Sequence, residues 1–226
     1  MLGYIILKVE KAKERKGMID KNKLSRRRLL QSGFALSATA CVKKPDFCEQ
    51  PAIVSDGAFR TADSCTVTAS NIEGPFYITN APERSDFRLW GDEGVSVSLS
   101  GRVVSEDCSI GLEGAIIEFW HADPSGGYDN VSSEMRYRGA IQVTTTGAYT
   151  LETLLPGRYL NGSQYRPHHI HVKVWDADGN ERLTTQLYFE GDEYLECDPF
   201  ANTSLVVPFE GTITTEIIAV NVDFIV

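Results

Sequence analysis

The sequence has no apolar run of the about 18–20 residues that a membrane-crossing helix needs, which excludes a polytopic membrane protein. Basic residues are scarce beyond position 44: the first 44 residues hold 12 of the 22 Lys and Arg against three acids, Glu10, Glu14 and Asp20. The rest of the chain has 10 basic and 28 acidic residues, so a region of net charge −18 follows one of +9. A body this acidic cannot neutralise phosphates, and nucleic acid is excluded as a partner. No C-x-x-C pair occurs among Cys41, Cys48, Cys65, Cys108 and Cys197, so zinc-ribbon and dithiol redox motifs are unsupported. Histidine is rare, with four at 121, 168, 169 and 171. What remains, 226 residues with 42% hydrophobic and 23% charged, suits one soluble folded domain.

The basic N-terminus reads as an address. Ser25-Arg26-Arg27-Arg28-Leu29-Leu30-Gln31 sets a twin arginine before a short apolar stretch, Leu29 to Ala40. Ala38-Thr39-Ala40 offers the small residues that a signal peptidase requires. Residues 1–41 are therefore expected to form a twin-arginine-type export signal, with Met18 as an alternative start. Residues 42–64 are polar and turn-like, as a linker would be. Cys41 follows the small-residue site directly, and its lipidation would be the one means of membrane anchoring. Export to a periplasmic or cell-envelope location implies an oxidising compartment, where Cys48, Cys65, Cys108 and Cys197 allow two bridges in three connectivities.

Residues 65–226 read as all-β. Val95–Val104 alternates Val95, Val97 and Leu99 against Ser96, Ser98 and Ser100. Apolar or β-branched runs follow at Ala115–Trp120, Ala140–Val143, Tyr149–Leu155, Ile170–Trp175, Leu183–Phe189 and Thr212–Val222. Turn residues at roughly 8–15-residue intervals predict a single β-sandwich. No helical period is visible after residue 45.

Three of the four histidines lie in Arg166-Pro167-His168-His169-Ile170-His171. On a strand, His169 and His171 share one face, about 7 Å apart at Cβ, close enough to serve one metal ion. His168, Ile170, Val172 and Val174 share the other, which reads as the packed side. A cupin-like site would need a Glu about four residues on and a third His, and neither is present. Asp176 falls on the wrong face, which leaves tyrosine, of which there are nine.

Several stretches, in this order, resemble the intradiol ring-cleavage dioxygenases, the family of protocatechuate 3,4-dioxygenase and catechol 1,2-dioxygenase. They are Glu73-Gly74-Pro75-Phe76-Tyr77, Phe119-Trp120-His121-Ala122-Asp123-Pro124-Ser125-Gly126-Gly127-Tyr128, Tyr137-Arg138-Gly139, Leu155-Pro156-Gly157-Arg158-Tyr159 and the Arg166–His171 block. The resemblance implies a β-sandwich holding non-haem Fe(III) through Tyr128, Tyr159, His169 and His171. It implies insertion of both atoms of O2 into a catechol-type diol, with ring cleavage between the hydroxyl-bearing carbons to a muconate-type diacid. Tyr159 would be the ligand displaced by substrate and a proton acceptor, and Arg166 would stabilise charge on the ring. Tyr165 competes with Tyr159 as the second tyrosine. Trp120 and Trp175 are expected in the core, His121 in a structural role, and Tyr77 near the pocket. Homo- and hetero-oligomeric arrangements stay open. The rival readings are an exported, non-catalytic β-sandwich binding module, which residues 101–159 alone would suit, and the cupin-like metal enzyme.

The export reading makes a direct prediction. Replacing Arg26 and Arg27 by Lys should leave the protein in the cytoplasm, as cell fractionation would show; normal export of that double variant would sink the address.

Overall fold

Alternation along β1 (Ser96–Val104) sets the frame: Val97, Leu99 and Val103 are buried while Ser96, Ser98, Ser100 and Arg102 face outward. The computed structural model describes residues 65–208, 213 and 217–226. The proposed signal region 1–41, the linker 42–64 and the cysteines Cys41 and Cys48 lie outside the described residues.

Ten further strands follow: β2 (Ile116–Trp120), β3 (Arg138–Gln142), β4 (Ala148–Leu154), β5 (Tyr159–Asn161), β6 (Gln164–Arg166), β7 (His169–Trp175), β8 (Glu181–Phe189), β9 (Val206–Val207), β10 (Ile217–Asn221) and β11 (Phe224–Ile225). Among the described residues there is no α-helix, only two 3-10 turns at Leu195–Cys197 and Thr203–Leu205. In one sheet β1 pairs antiparallel with β4 and parallel with β10 and β11. The other has the order β3-β2-β7-β8-β9. Val97, Leu99, Leu151 and Val220 of the first sheet meet Ile117, Phe119, Ile170, Val172 and Leu187 of the second in one apolar core. This is the two-layer sandwich expected from the alternating pattern.

The expected Thr212–Val222 strand has its described part at Ile217–Asn221. The packed side expected for β7 is found at Ile170, Val172 and Val174, and the histidine face is buried too, since His169 through Val174 are all buried. Ile170, Val172 and Val174 enter the sandwich core, and the opposite face is covered by residues 71–77. There Gln186 Nε2 donates to the Ile72 carbonyl at 2.9 Å, and Lys173 pairs with Glu73.

The short β5–β6 hairpin belongs to neither sheet and was not anticipated. Its register places Tyr159 opposite Arg166 and Leu160 opposite Tyr165. Cross-strand partners share a face and neighbours alternate, so Tyr159 and Arg166 point one way, Leu160 and Tyr165 the other.

Cys65 and Cys108 form a disulfide with Cα atoms 5.8 Å apart across 43 residues of chain. It ties the start of the described chain to the β1–β2 connection. Cys197 is disulfide-bonded as well. A loop of this length predicts that Cys65→Ser with Cys108→Ser lowers unfolding stability by about 2–4 kcal/mol. Guanidinium titration of the oxidised protein and the double variant checks this, and equal midpoints with equal slopes would show that the bridge adds nothing.

Candidate metal centre

Backbone contact brings two loops together before any side chain meets. The loop after β2 carries Tyr128, and the segment before β5 leads to Tyr159. Gly157 N–H donates to the Asp123 carbonyl at 2.8 Å, joining the two. Gly126 has φ +93, and a Cβ there would lie 2.3 Å from the Arg158 carbonyl oxygen. A Cβ on Gly157 would lie 2.3 Å from Gly126 N. Only glycine permits this approach, which explains Gly126 and Gly157 in the two tyrosine-bearing motifs.

The four rings form a closed circuit. Tyr128 and Tyr159 meet edge-on with centroids 5.6 Å apart, Tyr159 and His169 are 5.6 Å apart, His169 and His171 5.0 Å, and Tyr128 and His171 6.3 Å. The structure thus brings together all four residues singled out in the sequence. Phe76 stacks on Tyr128 at 4.3 Å, and the Arg138 guanidinium lies over its ring at 5.9 Å. Trp120, directly across from His171 in the β2–β7 register, stacks on the imidazole at 4.8 Å and 8°.

Each imidazole has a definite role. His169 Nδ1 lies 2.7 Å from the Pro167 carbonyl, which can only accept, so Nδ1 carries the proton and Nε2 keeps its lone pair. The nearest hydrogen-bonding group to that nitrogen is the Tyr128 hydroxyl, at a long 3.4 Å. His171 makes no hydrogen bond among the described residues, and its Nδ1 is buried without a partner. His121 differs: Nδ1 donates to the Ala122 carbonyl at 2.7 Å and Nε2 accepts from the Thr153 hydroxyl at 2.8 Å. With both nitrogens committed, His121 is structural.

Arg166 is buried and fully engaged. Its Nε donates to Asp198 Oδ2 at 2.7 Å, Nη2 to Gln186 Oε1 at 2.9 Å and to the Tyr188 hydroxyl at 3.3 Å, and Nη1 to the Tyr159 hydroxyl at 3.4 Å. Arg166 is thus paired with a buried acid on one side and reaches the phenol of Tyr159 on the other. Tyr165 is 45% exposed and packs on Tyr194 at 5.3 Å, away from the circuit. Tyr77 does not reach the rings' interior either: its hydroxyl donates to Glu118 at 2.7 Å and its ring backs Trp120 at 5.0 Å. Trp120 is 2% exposed and lies against the site rather than within the sandwich core. Trp175 is partly exposed and donates to Glu118 at 3.0 Å.

Burial governs the titration of these groups. It raises the phenol pKa values of Tyr128 and Tyr159, with Arg166 working against it in both. It lowers His169 to about 3 and His171 well below its ordinary value. Neutral imidazoles with free lone pairs, an orphaned ring nitrogen and two phenols needing a reason to ionise suit a cation. Among the described residues no three His, Cys, Asp or Glu side chains cluster. A metal here would therefore draw on the tyrosines, and the cupin-like alternative lacks its donors. Phenolate and imidazole form a hard-to-borderline set that suits iron.

A family model, Dioxygenase_C, described as Dioxygenase, matches residues 72–222. The chain belongs to the intradiol ring-cleavage dioxygenase family. The matched span includes all four rings and Arg166. Chlorocatechol 1,2-dioxygenase of Cupriavidus pinatubonensis is 33% identical over 159 residues, 61% of this chain and 61% of that protein. Catechol 1,2-dioxygenase 2 of Acinetobacter lwoffii is 33% identical over 62% of this chain and 58% of its own length. The chain thus matches about three fifths of the length of these curated relatives. Among solved structures, the dioxygenase domain of a dioxygenase carbohydrate-binding protein fusion from Streptomyces sp. SirexAA-E aligns with a TM-score of 0.62 at 29% identity. That alignment covers 71% of this chain and 97% of that one. Chlorocatechol 1,2-dioxygenase from Pseudomonas putida aligns at 0.61 and 26%, covering 70% and 71%.

The buried histidines carry a pH signature. Burial holds His121 at about 4 and His169 at about 3, and lowers His168 and His171 as well. In the unfolded chain each takes up a proton near pH 6.5. The unfolded state therefore binds more protons below that pH, and stability present above about 6.5 is lost as pH falls toward the folded values. The unfolding free energy of metal-free protein should drop between pH about 6.5 and 5, with a slope approaching about 1.4 kcal/mol per pH unit for each histidine. Urea titrations across this range measure it, and a flat profile would contradict neutral burial.

Proposed function

We propose that the protein is a ferric intradiol dioxygenase that converts a catechol-type diol and O2 into a muconate-type diacid. The observation that carries this is the closed circuit of Tyr128, Tyr159, His169 and His171 with Arg166 held against one of its phenols. The relatives named as catechol and chlorocatechol 1,2-dioxygenases support the diol as substrate class.

The four rings would hold the ion: the histidines through their free nitrogens, the tyrosines as phenolates. A ferric ion so held supplies Lewis acidity toward the two substrate oxygens. The O–O bond and the ring C–C bond between the hydroxyl-bearing carbons are both broken, and each of those carbons becomes a carboxyl group.

Within this scheme the two tyrosines are not equivalent. Tyr128 is clamped between Phe76 and Arg138. Tyr159 sits on a two-stranded hairpin outside both sheets. Tyr159 is thus assigned as the phenol that takes a proton from a substrate hydroxyl. Its basicity for that task comes from burial, which favours the protonated phenol. Arg166 cannot give up its proton, so it acts as a fixed positive charge. Asp198, Gln186 and Tyr188 hold it rigid, and preorganisation of this type stabilises negative charge developing on the substrate ring. Trp120 and Phe76 wall the rings and limit water.

Export of the mature chain belongs to the same proposal. The Cys65–Cys108 disulfide supports an oxidising compartment.

Purified, iron-loaded protein should be coloured by phenolate-to-iron charge transfer and should consume O2 with catechols. Tyr128→Phe should chiefly lose iron. Tyr159→Phe should keep iron, bind a catechol with a new absorption band and turn over slowly. Arg166→Leu should keep iron and colour yet lose about 10²–10³-fold in turnover, the cost of one preorganised donor. Absorption spectra, iron content and oxygen uptake on a catechol panel test the set. A colourless wild type that retains no iron after reconstitution would end the proposal.

A further inference from the structure

Asp192, on the loop after β8, has a side chain with no exposed surface and contacts neither the four rings nor Arg166. Its Oδ1 accepts from Tyr194 N–H at 2.9 Å, which fixes the carboxylate on its own loop. Its Oδ2 accepts from His168 N–H at 2.8 Å and from Arg158 Nε at 3.1 Å. His168 and Arg158 immediately precede His169 and Tyr159. The His168 ring packs beside it, with Nδ1 donating to the Pro156 carbonyl at 2.5 Å.

The His168 N–H belongs to the same planar peptide unit as the Pro167 carbonyl. That carbonyl is the group to which His169 Nδ1 donates at 2.7 Å. A carboxylate therefore pulls on one end of a rigid peptide while His169 is held by the other. Orienting the plane aims the carbonyl at Nδ1. A negative charge on the N–H side also polarises the peptide and strengthens the carbonyl as an acceptor.

We infer that Asp192 is a positioning residue which fixes the ring orientation and tautomer of His169 through the Pro167–His168 peptide, and holds the Tyr159 strand beside it through Arg158. The inference rests on the proposed roles of His169 and Tyr159 as iron donors. It goes beyond them by assigning a group that touches neither the iron site nor the substrate. A carboxylate acting on a ligand histidine is a known arrangement in metal sites; here a peptide unit is interposed.

Two measurements on the full-length protein test it. In metal-free protein, imidazole ¹⁵N–¹H spectra should show wild-type His169 protonated at Nδ1. Asp192→Ala should shift His169 toward the Nε2-protonated form. Asp192→Asn, which keeps an oxygen acceptor but loses the charge, should shift it less. In iron-loaded protein, Asp192→Ala should weaken iron retention against a chelator by about 10–100-fold, with Asp192→Asn between it and wild type. Asp107→Asn, at an exposed turn, should change neither. If Asp192→Ala fails to fold, Asp192→Asn and Arg158→Gln carry the test, the latter changing iron retention without moving the His169 tautomer. A His169 tautomer and an iron release rate both unchanged in folded Asp192 variants would overturn the inference. A wild type that binds no iron would instead end the ferric reading, and the tautomer spectra would then decide the role of Asp192 alone.

Discussion

A strand buried on both faces must satisfy every polar side chain it carries, and β7 organises the protein around that requirement. Its inward residues, Ile170, Val172 and Val174, fill the sandwich core and fix the strand's position. Its other face presents His169, His171 and Lys173 to a layer built from residues 71–77, flanked within the sheet by β2 and β8. Lys173 pairs with Glu73 and Glu181 and lies over the Tyr77 ring at 4.3 Å. His169 uses one nitrogen on the backbone, and His171 has only ring packing, from Trp120, His169 and Tyr128, with no hydrogen bond among the described residues. Removal of polar groups from water without partners is costly. The unspent nitrogens of this strand mark the place where the fold leaves its own polar accounts open, and a cation with two tyrosines would close them.

The same economy shapes the electrostatics. Arg166 and Asp198 are both buried, and a pair of this kind contributes little net stability while the loss of one partner is severe. Its value is geometric: three fixed acceptors around a guanidinium leave Nη1 aimed at Tyr159. Asp192 does similar work on the backbone, holding the residues before Tyr159 and His169. Both acids lie in the stretch between β8 and β9, which has only short 3-10 turns of its own. That irregular segment acts as the scaffold's fastener, joining the hairpin bearing Tyr159 and Arg166 to the sheet bearing the histidines.

Much of this was legible in the chain. The alternation in β1 and the apolar runs of β2, β4, β7 and β8 are local consequences of a sheet with an inside and an outside, so a reading by period finds them. The four rings were also legible, since each sits in a motif whose glycines or proline constrain the backbone beside it. The β5–β6 hairpin was not, because three-residue strands show no period and this pair stands outside both larger sheets. Nor were Gln186, Tyr188, Asp192 and Asp198, which stand among other polar residues in an acidic sequence with nothing local to distinguish them.

By itself, the sequence determined the sandwich, the shared face of His169 and His171, and the acidic balance of the body, because strand alternation and net charge are properties of neighbours and sums. Tertiary structure placed Tyr159, and not Tyr165, beside the other three rings, through the pairing of Tyr159 with Arg166 across a hairpin. It decided that the histidine face is buried, because the covering segment lies about 100 positions upstream, as the Glu73–Lys173 pair shows. It also decided which acids hold the arginine and the peptide before His169. Those contacts join residues more than twenty positions apart, and only the folded backbone can bring together groups that no local pattern relates.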